Sequence, residues 1–349
     1  MNQNRIYYYD MDIKEDIAWI PIYGLDSICY MDIETGKIRE VETNYQLESE
    51  KFYDGIYKTK NGLVVSQNHN RKKIFYFDEY NNENNYIVQL DYDVTFSHDR
   101  VFEFNDCLYI FALQAIIIKM NILSHEVKYI FYEDVNTNVY LSKAVVRNEN
   151  KVYILQNGVD DLLIFDLEKD KLEVKKIDFE PDLETMCLGN EELWFTNNKG
   201  ELILYALNTN KIERKKIDLG KELFGQIESF VKSFFFNESV WLIPQKIDYI
   251  IRYHITTKNF TRVVCPKDCQ VLQRKNSYKY LSATIYKNFI FLLDCASEKM
   301  YRLNMLNFEI MPVEIEWDIN ILNHKFINEG DLGISLEKFI QSGINIMNN

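Results

Sequence analysis

A repeated pair of short apolar runs constrains the fold of this chain more than any other feature of its sequence. In each copy, the centre of a first run is followed 12–14 residues later by a usually polar position that closes a second run. The centres recur every 41–50 residues, at Trp19, Val64, Tyr109, Tyr153, Trp194, Trp241 and Phe291. The closing positions are Asp32, Asp78, Asn121, Asp166, Ala206, His254 and Asn304. A period of about 40–45 residues built from short strands is typical of the blades of a β-propeller.

Each copy divides into four segments of strand length. In the fifth copy these segments are Glu184–Leu188, Leu193–Thr196, Glu201–Leu207 and Lys211–Ile217, and the turns between them are rich in Asn and Gly. Ile, Val, Tyr, Phe and Trp favour strands, whereas Asn and Gly tolerate the left-handed backbone of tight turns. A helical solenoid is the alternative, but it needs segments of about 10–15 residues with apolar positions three and four apart. The sequence therefore predicts an all-β fold, a seven-bladed β-propeller of four-stranded antiparallel blades.

The propeller is expected to fill residues 1–317 as a single domain, followed by a tail over 318–349. The first inner strand is predicted near Tyr7–Met11 and the last outer strand at Ile310–Ile315. The ring closes either by packing of the last blade on the first or by a strand from the tail after Trp317.

A short C-terminal helix is predicted in the tail. Ser335 is suited to cap its N-terminus, and apolar residues follow at helical spacing, namely Leu336, Phe339, Ile340, Ile344 and Met347. The helix either packs on the propeller or docks a partner.

Charge and cysteine usage limit the class of partner and the compartment. With 40 basic and 53 acidic residues, the net charge is −13, so we expect neither nucleic acid nor an anionic membrane as a partner. No apolar window is long enough to span a membrane, and the N-terminal residues contain no signal-peptide pattern. The six cysteines lack framework spacing, and Cys265 and Cys269 are too far apart in sequence for a redox or zinc motif. These features predict a cytoplasmic protein with reduced thiols.

Candidate ligand-binding residues lie in the loops that face one end of a propeller channel. Loops from second to third strands, and from each fourth strand to the next blade, converge there, which is where ligands of such folds bind. The candidates are Tyr23, Gln67, His69, Arg71, Gln156, Asn157, Gln245 and Lys246. Their amide, imidazole and hydroxyl groups suit a sugar or a peptide, although ordinary solvated turn residues have the same composition.

The sequence contains little that points to catalysis. The five histidines are scattered without metal-ligand spacing, and no nucleotide-binding or serine-hydrolase motif is present, so we expect no metal and no cofactor. His69, beside Arg71, is the candidate general acid or base because a nearby cation can tune its pKa. His254 occupies a position where three other copies have Asp, and we interpret it as a structural replacement.

Three phrases carry a resemblance to a known group of proteins: Trp19-Ile20-Pro21, Trp241-Leu242-Ile243-Pro244, and the stretch from Tyr30 to Lys37. They resemble bacterial β-propellers of the kelch/WD40-like superfamily in the broad sense, over roughly residues 5–316. The double glycine of kelch repeats and the Gly-His of WD40 repeats are absent from the blades. The D-x-x-T-G-K phrase from Asp32 to Lys37 is also similar to quinoprotein and streptogramin-lyase-like propellers. The resemblance implies an architecture without an assigned activity.

Two functional hypotheses follow. The first is a cytoplasmic binding or scaffolding propeller that holds a protein, peptide or glycan on one face of the ring. The alternative is an enzyme, a lyase or hydrolase, with its site at the mouth of the central channel. A binding protein should present a broad apolar and aromatic patch with a polar rim, whereas an enzyme should present a deep pocket with converging ionisable groups.

Overall fold

Seven antiparallel sheets make up the part of the chain that the structure describes. The structure is a computed structural model, and it describes residues 10–21, 28–41, 53–67, 72–78, 85–132, 142–156, 161–177, 183–217, 230–245, 247, 249–266, 280–294 and 299–318. Each sheet contains four strands that are consecutive in sequence, and one sheet gains a fifth strand. The protein is thus a seven-bladed β-propeller, as the repeat predicts.

The strands of each blade follow one another from the channel to the outer edge. In blades 1 to 3 they are β1 (Asp12–Lys14), β2 (Ile17–Pro21), β3 (Ile28–Asp32), β4 (Lys37–Glu40), β5 (Tyr53–Lys58), β6 (Gly62–Gln67), β7 (Lys73–Asp78), β8 (Tyr86–Gln89), β9 (Val101–Phe104), β10 (Cys107–Phe111), β11 (Ile116–Asn121) and β12 (Val127–Phe131). In blades 4 and 5 they are β13 (Ser142–Asn148), β14 (Lys151–Gln156), β15 (Asp161–Asp166), β16 (Lys171–Lys176), β17 (Leu183–Gly189), β18 (Glu192–Asn197), β19 (Glu201–Ala206) and β20 (Ile212–Lys216). In blades 6 and 7 they are β21 (Phe230–Phe236), β22 (Ser239–Pro244), β23 (Tyr249–His254), β24 (Asn259–Val264), β25 (Tyr280–Tyr286), β26 (Phe289–Asp294), β27 (Met300–Asn304) and β28 (Ile310–Pro312).

The hydrophobic core consists of layers between blades. Among the described residues there are seven apolar clusters, and each contains residues of two neighbouring blades. Trp194 of blade 5, for example, lies in one cluster with Tyr253 of blade 6, with ring centroids 5.8 Å apart. A single four-stranded sheet has two apolar faces and can bury neither alone, so the stacking of blades supplies most of the driving force for folding.

In several blades, the polar position that closes the second apolar run caps the turn between the third and fourth strands. Oδ1 of Asp32 accepts the backbone N–H of Glu34 and Thr35, and Oδ1 of Asp166 does the same for Glu168 and Lys169. At the same position in blade 6, Nδ1 of His254 accepts the backbone N–H of Thr257 at 3.3 Å. Its interpretation as a structural replacement for Asp is confirmed, because the imidazole makes the same kind of turn-capping bond.

A strand that follows blade 7 closes the ring. Strand β29 (Glu316–Trp317) pairs in parallel with β4 at the outer edge of blade 1, and the N–H of Glu316 donates to the carbonyl of Gly36 at 2.9 Å. Trp317 packs against the cluster between blades 1 and 7. Blades 1 and 7 share a core, as one predicted alternative required, and an added strand also fastens them, but that strand is Glu316–Trp317 and not a segment after Trp317.

Two predicted strands have different bounds. The first described strand begins at Asp12, whereas Tyr7–Met11 was predicted; residues 7–9 lie outside the described residues, and the carbonyl of Met11 accepts a hydrogen bond from Oγ1 of Thr284 in blade 7. The last outer strand ends at Pro312, before the predicted Ile315; the N–H of Val313 still donates to the carbonyl of Met300 at 2.9 Å, and Val313 and Ile315 pack into the core between blades 1 and 7.

The C-terminal helix predicted after Ser335 lies outside the described residues and stays a prediction. Among the residues that are described, no helix has the length and apolar character needed to cross a membrane.

Candidate functional site

Charged residues from several blades meet at one end of the central channel. The first strands of neighbouring blades lie side by side, as β13 does with β17 and β17 with β21, so these strands surround the axis. Residues of blades that are not neighbours can touch only there. The short 3-10 turn His98–Arg100, just before β9 of blade 3, makes such contacts. We call Asp10, His98, Asp99, Arg100 and Lys232 the axial cluster.

Asp10 and His98 form the buried centre of the axial cluster. Nδ1 of His98 lies 2.5 Å from Oδ1 of Asp10, and Oδ2 of Asp10 accepts the backbone N–H of His98 at 2.6 Å and that of Ile56 at 3.1 Å. The side chain of Asp10 is only 4% exposed. Burial alone disfavours the imidazolium, but the charge and hydrogen bond of Asp10 outweigh it and raise the pKa of His98. The pair joins blades 1, 2 and 3.

Asp99 and Arg100 extend the axial cluster to blades 6 and 4. Oδ2 of Asp99 is 2.9 Å from Nζ of Lys232 in β21, and Nη2 of Arg100 donates to the carbonyl of Lys143 in β13 at 2.7 Å. Burial raises the pKa of the Asp99 carboxyl, but the charges of Lys232, His98 and Arg100 have the larger combined effect and lower it. Each charged side chain of the axial cluster has a partner, so the cluster ties blades together across the channel.

Stability is expected to fall with rising pH because of His98. A group whose pKa is higher in the folded state stabilises the protein fully below its unfolded pKa, about 6.5, and this contribution is lost as the pH rises through the folded pKa. The free energy of unfolding of the wild type should therefore decrease as pH rises above about 6.5, and that of His98→Gln should change less over the same range. Urea unfolding at pH 6 to 9 measures both slopes, and equal slopes would contradict the assignment.

The predicted channel-mouth residues are only partly described. Gln156 is the last residue of β14 and pairs with Ser142, next to the Lys143 carbonyl that Arg100 binds. Gln67 ends β6 at the equivalent place and pairs with Tyr53, and Gln245 follows β22. Gln156 and Gln245 are both buried, 6% exposed each, so they belong to strand ends rather than to solvated loops.

The other predicted site residues lie outside the described part of the chain. They are Tyr23, His69, Arg71, Asn157 and Lys246, so a general acid or base role for His69 stays a prediction. Cys269 is also outside, and Cys265 is buried between blades 6 and 7, where its sulfur accepts the hydroxyl of Tyr280 at 2.9 Å.

Sequence reasoning missed the axial cluster. Asp10 and His98 are 88 residues apart, and neither is part of a known motif. The usable signal is the charged triplet His98-Asp99-Arg100 at the end of a long connector into blade 3, because three consecutive charges just before an inner strand must find partners near the axis.

A second feature is a groove between the outer strands of blades 2 and 3. It is lined by β8, from Tyr86 to Gln89, and by Asp91, His125, Val127 and Tyr129, and its volume is about 390 Å³. The rings of Tyr86 and His125 stack, and the N–H of Asp91 donates to the hydroxyl of Tyr129 at 2.9 Å. We call it the aromatic groove.

Exposed apolar side chains concentrate around the aromatic groove. Tyr92 and Phe131 are each 40% exposed and Ile87 is 41% exposed, and the ring of Tyr92 packs edge-on against Tyr129 and Phe131 at 5.2 Å. Among the described residues, the other exposed large apolar side chains are dispersed on blade edges and turns, at Leu123, Val174, Val264 and Leu306.

No group of metal-ligating side chains that could hold an ion is found in the described ranges.

No family model matches this chain, and no curated protein is similar to it in sequence. Solved structures of the same fold do match. Virginiamycin B lyase from Staphylococcus aureus is 12% identical with a TM-score of 0.61, and the match covers 86% of this chain and 94% of that chain. BamB from Moraxella catarrhalis is 10% identical with a TM-score of 0.53, covering 82% and 80%. A chain of the mitotic checkpoint complex is 7% identical with a TM-score of 0.57, covering 83% and 86%.

At these identities the likeness shows a shared fold. The resemblance to bacterial β-propellers is confirmed at that level, and kelch or WD40 character in particular stays a prediction.

Proposed function

We propose that this propeller binds a protein partner through the aromatic groove. The observation that carries the proposal is the cluster of half-exposed aromatic side chains formed by Tyr92 and Phe131 beside Tyr129 of the groove. Exposed apolar groups that cluster and are rimmed by polar ones mark interaction sites, whereas single exposed apolar residues do not. Rigid aromatic side chains also lose little entropy on binding and supply most of the energy at interfaces.

The axial cluster supports binding over catalysis. Its charges are already satisfied, since Asp10 accepts from His98 and Ile56 and Asp99 pairs with Lys232. A protein that uses this cluster to fasten its blades has a stable scaffold on which the outer surface can hold a partner.

A cytoplasmic location remains part of the proposal, supported by the free buried thiols of Cys29, Cys107, Cys187 and Cys265.

An enzyme is the second candidate, with one observation in its favour. His98 is held by Asp10 at the channel end with its pKa raised, the arrangement that a general acid requires. A second matched structure of the Staphylococcus aureus lyase is of a catalytically inactive histidine-to-alanine variant with quinupristin. If the wild type catalyses a reaction and His98→Gln loses that activity while remaining folded, the result would favour this candidate.

Substitution of the groove aromatics tests the binding proposal. Purified protein is used to select peptides from a random twelve-residue displayed library, and the affinity of the enriched peptides is then measured for variants. Tyr92→Lys with Phe131→Lys should weaken binding at least tenfold, because the apolar contact area is replaced by hydrated charge. The matched control, Val174→Lys with Val264→Lys, changes two exposed residues on other blades and should bind as the wild type does. Equal affinity of the groove variant and the control would overturn the proposal.

A further inference from the structure

Strand β8 differs from the other outer strands of the ring in its residues. An outer strand has one unpaired edge, which invites pairing with another chain unless charge or proline prevents it. Charged residues occur in β4, β12, β16, β20 and β24, and β28 contains Pro312. β8 reads Tyr-Ile-Val-Gln and has neither charge nor proline. It is thus the unprotected edge among the described outer strands.

The backbone of β8 presents free hydrogen-bonding groups outward at alternate residues. The N–H of Leu90 donates to the carbonyl of Lys72 at 2.7 Å, which makes these two a hydrogen-bonded pair, and Val88 pairs with Ile74 two residues earlier. In an antiparallel ladder, hydrogen-bonded and non-hydrogen-bonded pairs alternate. The N–H and carbonyl groups of Ile87 and Gln89 therefore point away from β7, toward the open edge.

The protein itself shows how an outer edge of this kind is used. Strand β29 adds to the edge of β4 as a fifth strand even though β4 contains charged residues, and its Trp317 side chain packs against the core between blades 1 and 7. Blade 2 offers the same two elements, an open edge in β8 and an aromatic-lined space beside it. The described residues supply no strand for that edge.

The groove also has a charge preference. Asp91 is the acidic group of its lining, and the whole chain has a net charge of −13. Lys128, the lysine of β12, lies on the opposite face of blade 3, where its Nζ is 3.8 Å from Asp170. A basic side chain beside Asp91 would meet a carboxylate and the faces of Tyr92 and Tyr129, both of which attract cations.

We propose that an extended, basic peptide segment of a partner protein pairs with the open edge of β8 as a fifth strand of blade 2. This inference rests on the proposed binding function and specifies its geometry. Backbone hydrogen bonds to Ile87 and Gln89 hold the segment, an aromatic or branched side chain enters the aromatic groove, and a Lys or Arg lies near Asp91.

Proline substitutions separate strand addition from contact with the groove. Ile87→Pro and Gln89→Pro each remove one outward N–H and keep the ladder bonds to β7, because proline is tolerated where the N–H of an edge strand faces solvent. Peptides enriched from the displayed library should bind each variant at least tenfold more weakly than the wild type. Their sequences should alternate apolar and polar residues and be enriched in Lys and Arg.

The matched control lies on blade 5. The N–H of Ile217 bonds to the carbonyl of Gly200 as that of Leu90 does to Lys72, so Arg214 of β20 corresponds to Ile87. Arg214→Pro should leave peptide affinity unchanged. Circular dichroism and urea unfolding of every proline variant verify that the fold is retained.

The possible results distinguish the two proposals. If Tyr92→Lys with Phe131→Lys abolishes binding and Ile87→Pro and Gln89→Pro do not alter it, strand addition is wrong and the groove still binds. If none of these variants affects binding, both proposals are wrong. A dimer in analytical ultracentrifugation that Ile87→Pro dissociates would show that a second copy of this chain occupies the edge, which would also overturn the proposal.

Discussion

Replacing Asp10 with alanine is expected to lower the free energy of unfolding by about 3–5 kcal/mol, the cost of removing one partner of a buried ion pair. The carboxylate accepts from Nδ1 and the N–H of His98 and from the N–H of Ile56, and it is nearly inaccessible to water. Alanine leaves these donors without an acceptor and leaves the imidazolium without its counter-charge. Chemical unfolding near pH 6, where His98 is protonated, measures the loss.

Asp12 provides a control in the same segment. It accepts the backbone N–H of Lys58 at 2.7 Å and lies 3.8 Å from Nζ of Lys14. Asp12→Ala removes one strong acceptor and should cost less than Asp10→Ala, about 1–3 kcal/mol. A double-mutant cycle between Asp10→Ala and His98→Gln should show strong coupling. Additive effects would mean that the two side chains stabilise the ring independently.

Replacing Gly36 with alanine is expected to lower the free energy of unfolding by about 3 kcal/mol. Gly36 has φ of +73°, which costs an L-residue roughly 1–2 kcal/mol, and an added Cβ would overlap the carbonyl oxygen of Glu314. Overpacking of this kind costs about 1–3 kcal/mol more. Since Glu314 leads into β29, the substitution should loosen the strand that closes the ring. Unfolding in urea and the rate of proteolysis after residue 312 are the measurements.

Two further variants separate the cost of backbone strain at Gly36 from the cost of the overlap with Glu314. Asn tolerates positive φ, so Gly36→Asn keeps the overlap with Glu314 and reduces the backbone strain. Gly200→Ala, at φ of +73° in blade 5, introduces the strain at a distance from the closure. If Gly200→Ala were as destabilising as Gly36→Ala, the contact with the closing segment would contribute nothing.

Local patterns were sufficient to predict the repeating unit. In blade 5, the predicted strand Leu193–Thr196 corresponds to β18 at Glu192–Asn197, and Glu201–Leu207 to β19 at Glu201–Ala206. The turn role of His254 was also readable, because a turn cap acts on residues two or three positions away. Gln156 and Gln245 were predicted as loop residues at the channel mouth, and their burial, 6% exposed each, was not predicted because it depends on neighbouring blades.

The sequence by itself determined the number of blades, their strands and their turns, because each depends on alternation, apolar runs and turn formers within about 45 residues. The tertiary structure alone decided that Asp10 meets His98, that Asp99 meets Lys232 across the channel, and that β29 fastens blade 1. It also decided that Tyr92 and Phe131 share a surface with the open edge of β8. Such meetings depend on how seven blades are arranged around an axis, and residues far apart in the chain carry no local signal of them.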